Sequence, residues 1–238
     1  MKYSKLTDVG KVRKNNEDRL GLWEDLGLFV VADGMGGHQA GEIASQMAVD
    51  TLESYFSERN EFKPEETKEL LKEAIEKANE KIYLKAHQHK ELRGMGTTIT
   101  TGYLWNNQLV IGQIGDSRAY RIDSKEIVQL TEDHSLVNEL LKKGGLTEEE
   151  ALKHPQKNVL TRALGVDINI ETDIYEYILK DGDSLLFCTD GLSGMVKKEE
   201  MKEIILKDLS IDKKAQELVN LALTRGGNDN ISLILLEV

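Results

Sequence analysis

The chain has 238 residues, 39% hydrophobic and 31% charged, enough to bury a substantial core in one large domain or two small ones. Its formal net charge of -11 excludes functions that need a clustered basic surface, nucleic-acid binding above all, and gives no attraction to anionic membranes. A single cysteine, Cys188, excludes an internal disulfide and any thiolate-rich zinc site, and its setting in SLLFC reads as a buried strand residue rather than a nucleophile.

The first strand-like run is LGLFVVA at 26–32, preceded by Asn16, Glu17 and Asp18. Two helical stretches follow, at about 41–58 and 64–89. Ile43, Met47, Val49 and Leu52 form the apolar face of the first, and Leu70, Leu71, Ala74, Ile75 and Ala78 that of the second. Strands are expected at 97–105 and 108–115, joined by a hairpin turn at Trp105-Asn106-Asn107-Gln108. Residues 133–160 are polar and weakly helical, and read as an inserted surface lobe. A strand at 184–188, helices at about 197–207 and 211–224, and a last strand at 231–238 complete the chain. Helices and strands thus come in blocks, which argues for an α+β domain rather than a regularly wound parallel sheet. With no linker or repeat, residues 1–238 are expected to form a single domain.

The N-terminal MKYSKLTDVG lacks the apolar stretch of a signal peptide, and no apolar run approaches the ~20 residues of a membrane span. The expectation is a soluble, cytoplasmic protein.

Four acids share one local setting, the junction between an apolar strand and a glycine: Asp33 after FVVA, Asp116 after QIG, Asp190 after LLFCT, and Asp229 within GGNDNIS. Each alone reads as a turn residue. Carboxylates converging on one cleft, however, repel one another unless protonated or held by cations. With one cysteine and five histidines, the donors on offer are hard oxygens, which suit Mg²⁺ or Mn²⁺ over zinc. Carboxylates holding two such ions are an apparatus for hydrolysing phosphate esters. Competing motifs fail: GMGGHQ lacks the third glycine of a dinucleotide fingerprint, no Lys-Ser/Thr completes a P-loop, and DINIETD lacks the EF-hand glycine.

The ordered set VRKNNED, VVADGMGGH, GDSRAY, TEDHS, TRALG, CTDGLS and GGNDNIS closely resembles the metal-dependent protein phosphatases of the type-2C (PPM) family, and their compact bacterial members in particular. The resemblance implies an αββα sandwich, two central antiparallel sheets flanked by helices, with a flap subdomain at about 133–160. It implies hydrolysis of phosphoserine and phosphothreonine in proteins by a water held between two Mn²⁺ or Mg²⁺ ions. Carried over residue by residue, Asp33 is the bridging carboxylate, and Gly34 offers its carbonyl to one ion. Asp190 and Asp229 complete the second ion's shell, Glu17 and Asp18 hold metal-bound waters, and Arg13 clamps the phosphate. Asp116, with Asp190, is the place of a third ion in bacterial members, the alternative being a simple turn cap. Many eukaryotic members have a histidine directly after the Asp-Gly pair. Met35 stands there in this chain, so the proton for the leaving group falls to His38 or to a water. Implied partners are phosphorylated proteins, including a eukaryotic-type serine/threonine kinase and its substrates, acted on by a monomer. The alternative from another class is a catalytically silent module of the same fold.

Overall fold

The computed structural model describes residues 1–37, 40–59 and 66–238. Two antiparallel sheets stack face to face. One has the strand order β1 (Lys2–Asp8), β11 (Ile231–Glu237), β10 (Ser184–Cys188), β7 (Arg118–Ile122) and β8 (Ile127–Gln129). The other has the order β2 (Asp18–Trp23), β3 (Leu28–Met35), β5 (Ile99–Trp105), β6 (Gln108–Ile114) and β9 (Asp173–Ile178), with the short β4 (Gly96–Thr97) also pairing β3.

Strand periodicity explains the layers. In β3, Leu28, Val30 and Ala32 pack under helices α1 (Ala40–Ser57) and α2 (Thr67–Gln88), whereas Phe29 and Val31 face the other sheet. Buried on both faces, β3 reads as one continuous apolar run. In β10, Leu185 and Phe187 face the inter-sheet layer. Leu186 and Cys188 instead turn to the helices α5 (Asp190–Ser193), α6 (Lys198–Ile205) and α7 (Ile211–Thr224). Phe29 and Phe187 meet edge to face between the sheets at 4.8 Å. The result is the expected αββα sandwich. Cys188 is fully buried and its thiol is pushed up to about 12 by that burial, which leaves it inert.

The hairpin turn forms as read, with Trp105 opposite Gln108 and Asn106 in the left-handed region at φ 53°. Five strands carry no clear strand signal in the sequence: β1, β2, β7, β8 and β9. They are outer, short or half-exposed strands, so polar residues interrupt their apolar pattern, as in KYSKLTD and DIYEYI. Asp18 does not precede the first strand of its sheet but begins β2, directly opposite Asp33 of β3.

Residues 133–160 carry α3 (Leu136–Lys142) and α4 (Glu148–Lys153). Their neck is closed by the Ser135–Leu160 bridge and by the Leu136 N–H, which donates to the Val159 carbonyl at 2.9 Å. No α3 residue is fully buried, which explains the weak apolar patterning there.

Candidate active site

The inter-sheet layer ends in acid. In β2, Leu20 and Leu22 pack into that layer, and alternation places Asp18 on the same side. In β3 the same parity continues from Phe29 and Val31 to Asp33. The Thr189 hydroxyl, just past β10, donates to Asp18 Oδ2 at 3.0 Å and accepts the Ser232 N–H at 3.1 Å, tying both sheets together at this end. Asp33 is held by its backbone: its N–H donates to the Thr98 hydroxyl at 3.0 Å, and its carbonyl accepts the Thr98 N–H and the Thr97 hydroxyl, each at 2.9 Å.

Close approaches fix the neighbouring loops. A Cβ on Gly34 would lie 2.2 Å from the Gly41 carbonyl oxygen, so only glycine lets α1 start against β3. A Cβ on Gly191 would lie 1.9 Å from the Asn230 carbonyl oxygen, so Asp190 and the Asp229 loop meet only because Gly191 is bare. The Asn230 side chain accepts the Glu17 N–H at 2.8 Å and donates to the Val9 and Asn15 carbonyls, clamping the loop before β2 onto the start of β11.

The acids surround an open cleft of about 360 Å³ lined by Arg13, Glu17, Asp33, Asp116, Asp190 and Asp229, and also by Arg162 and Asn158. Asp18 is buried beneath it, 2% exposed. Burial, with the added charges of Asp190 and Asp229, pushes Asp18 up to about 7, against the pull of the hydroxyls of Ser232 and Thr189. Asp33 is raised well above the usual carboxylate range by burial and by Asp18, Asp190, Asp116 and Asp229. Burial, then Asp190 and Asp133, lift Asp116 to about 8. Asp190 is raised by burial and Asp229, although a hydrogen bond with Asp33 opposes the shift. Burial also raises Glu17, with Arg13 opposing. Burial and mutual repulsion thus favour the protonated form of each of these acids.

A family model described as protein phosphatase 2C matches residues 11–226 of this chain. The chain belongs to the protein phosphatase 2C family. It is 42% identical over 235 residues to the serine/threonine phosphatase stp of Listeria monocytogenes, covering 97% of this chain and 93% of that one. It is likewise 42% identical over 241 residues to the protein phosphatase PhpP of Streptococcus pneumoniae, covering 100% of this chain and 98% of that one. Among solved structures, the catalytic domain of the serine threonine protein phosphatase PstP in complex with 2 manganese ions superposes with a TM-score of 0.88 at 33% identity, over 98% of this chain and 96% of that one.

Members of this family act with metal ions, and the residues here fit such ions. Asp18 Oδ1 and Asp190 Oδ1 are buried with no hydrogen-bond partner, and the acids around the cleft offer hard oxygens. Divalent ions would supply the positive charge that the raised acids otherwise take from protons. Among the described residues, no three of His, Cys, Asp or Glu are arranged to hold one ion unaided. Asp229 is instead turned to Arg13, whose Nη2 donates to its Oδ2 at 2.7 Å.

The fold therefore brings Arg13, Glu17, Asp33, Gly34, Asp116, Asp190 and Asp229 to one cleft, with Asp18 as its floor. His38, one of the two expected sources of the leaving-group proton, lies outside the described residues. Arg162, which is not among the residues expected at the site, pairs with Asp173 at 2.7 Å and also lines the cleft. Thr98 and Thr189, which hold Asp33 and Asp18, carried no signal: a threonine next to a strand end looks like any other strand residue. Asp133 and His134 brace the Asp116 turn. Asp133 takes the Arg118 fork, and His134 Nδ1 accepts the Gly115 N–H at 3.2 Å.

Among the described residues, no helix is long and apolar enough to cross a membrane.

Proposed function

We infer that this cleft removes phosphate from phosphoserine and phosphothreonine in proteins by direct attack of water, with Mn²⁺ or Mg²⁺ ions held by Asp33, the Gly34 carbonyl, Asp190 and Asp229. The protein is a serine/threonine protein phosphatase by its full-length relatedness to named ones. The observation that supports the mechanism is the convergence of five carboxylates, from β3, the start of α5 and three separate loops, on one cleft with Asp18 of β2 buried beside them, two of the six having buried, unpartnered oxygens. Bound there, divalent ions lower the pKa of water and neutralise charge building on the phosphoryl oxygens.

The chain's own residues do the rest. Arg13 leaves its ion pair with Asp229 to take phosphate oxygens in its planar fork, which frees the Asp229 carboxylate for an ion. Glu17 and Asp18 accept hydrogen bonds from water at the cleft floor and orient it. Asp116 and Asp190 offer the place of a third ion. The departing serine or threonine oxygen receives its proton from His38 or from water. The same chemistry implies action against a eukaryotic-type serine/threonine kinase, in the cytoplasm, by a monomer. A silent module has no need to keep Asp33, Asp190 and Asp229 in one cleft.

The test is turnover of a phosphothreonine peptide. We expect none in excess chelator, restoration by Mn²⁺ or Mg²⁺, and a loss of at least ~10³-fold, about 4 kcal/mol of barrier, in Asp33→Ala. Full activity in chelator would remove the metal mechanism.

A further inference from the structure

A second groove of about 420 Å³ opens from the side of the cleft and shares Asp116, Asn158 and Asp190 with it. It runs between α3 and α4 on one side and the start of α6 on the other, and its volume falls within the range of ligand-binding pockets. Its apolar floor is Val137, Leu141 and Ala151. Three of its charges are already matched: Asp133 holds the Arg118 guanidinium at 2.6 Å, and Glu132 pairs with Lys142. Lys157 and Lys198 are different. Both are exposed, and neither makes an ion pair among the described residues, although the Lys198 Nζ stands 5.8 Å from the Tyr120 ring centroid.

In a chain of net charge -11, a groove whose spare charge away from the catalytic acids is positive marks a local preference for anions. Its continuity with the cleft determines what can enter it. A polypeptide whose phosphorylated residue lies over Asp33 must leave the cleft along some path, and this groove is an open one. Aliphatic side chains suit the floor, since burying one there removes apolar surface on both partners from water.

We propose that this groove seats the segment of the phosphoprotein flanking the phosphorylated residue, taking an aliphatic side chain against Val137, Leu141 and Ala151 and an acidic one beside Lys157 and Lys198. The proposal rests on the phosphatase reading, and gives it a sequence preference. Neither lysine nor Leu141 lines the catalytic cleft, so the groove can be altered without touching the chemistry.

The experiment compares phosphothreonine peptides with a common core and three flanks: aliphatic with acidic, aliphatic with basic, and glycine only. Turnover and direct binding by fluorescence anisotropy are measured on each, and turnover of an aryl phosphate alongside. The wild type should favour the aliphatic-acidic flank. Lys157→Glu with Lys198→Glu should cut kcat/KM on that flank ~10-fold or more through KM at low ionic strength, and reverse the preference toward the basic flank, as expected when the sign of the groove's charge is reversed. Leu141→Ala should weaken both aliphatic peptides ~5-fold and leave the glycine peptide unchanged, the scale of a few buried methylenes. Aryl phosphate turnover should stay within about twofold in every variant, since a small ester does not reach the groove. Equal binding and turnover of the three flanks would overturn the proposal, as would an unchanged preference in the double lysine variant with its melting temperature intact. Absence of aryl phosphate turnover in the wild type would instead remove the phosphatase reading, while the binding comparison would still decide the groove.

Discussion

Replacing Asp18 by asparagine should stabilise the metal-free protein at neutral pH while impairing catalysis. Asp18 is 2% exposed, its Oδ2 accepts the Thr189 hydroxyl, and its Oδ1 has no partner. In the fold its carboxyl is raised from 3.8 to about 7. A group whose pKa is raised by folding contributes stability below its unfolded pKa and loses it as pH climbs through the folded value. At about 1.4 kcal/mol per pH unit, carrying Asp18 at pH 7 costs the metal-free fold about 4 kcal/mol, of which about 2 accrues between pH 5 and 7. Asparagine carries no charge, and its Oδ1 can keep the bond from Thr189. Its amide group, standing where Oδ1 was unpartnered, gives back about 1–3 kcal/mol. The expected net gain is about 2 kcal/mol at pH 7, shrinking toward zero or below it by pH 5. Urea unfolding in chelator from pH 5 to 7.5 measures it, with Mn²⁺-saturated wild type as the reference. In that reference the ions should flatten the wild-type slope, because they stabilise the ionised acids. Asp33 and Asp116 are raised by the same causes and add their own slope, which the variant keeps. A metal-free wild type whose stability does not fall as pH rises, or a variant less stable than wild type at pH 7, would refute the reasoning.

Arg13→Ala should raise KM for phosphopeptides ~10- to 100-fold, the equivalent of about 1.5–3 kcal/mol for a lost charge-assisted bond. Because Arg13 now holds Asp229, the same variant should bind Mn²⁺ as tightly as wild type or more tightly by titration calorimetry. Asp116→Ala should lower turnover at least ~10-fold and abolish a weak, millimolar Mn²⁺ requirement, with no fall in melting temperature in chelator, because the acid it removes is one that burial and Asp190 destabilise. A lowered melting temperature with normal turnover would make Asp116 a turn cap. Phe187→Ala, which empties the edge-to-face contact with Phe29 between the sheets, should cost about 3–5 kcal/mol by denaturant unfolding.

The sequence by itself determined the class of the fold and marked the acids that the cleft gathers. Runs such as FVVA and SLLFC are unambiguous because both faces of β3 and β10 are buried, and the hairpin at Asn106 is a local matter of turn chemistry. Asp33, Asp116, Asp190 and Asp229 stand out because each abuts an apolar strand and a glycine, a pattern that can be read within ten residues. Polar, half-exposed strands such as β1 and β9 hide from pattern reading because only one of their faces meets a core. The structure alone decided that Asp18 faces Asp33 across paired strands, that Thr189 and Thr98 hold the two, and that Arg13 reaches Asp229 across 216 residues of chain. Strand register, side-chain parity at the end of the inter-sheet layer, and the closeness that Gly34 and Gly191 permit all join segments far apart in sequence. No local pattern encodes such distances. Whether a lone aspartate is a turn cap or part of a charged cleft is therefore settled only when the two sheets close on each other.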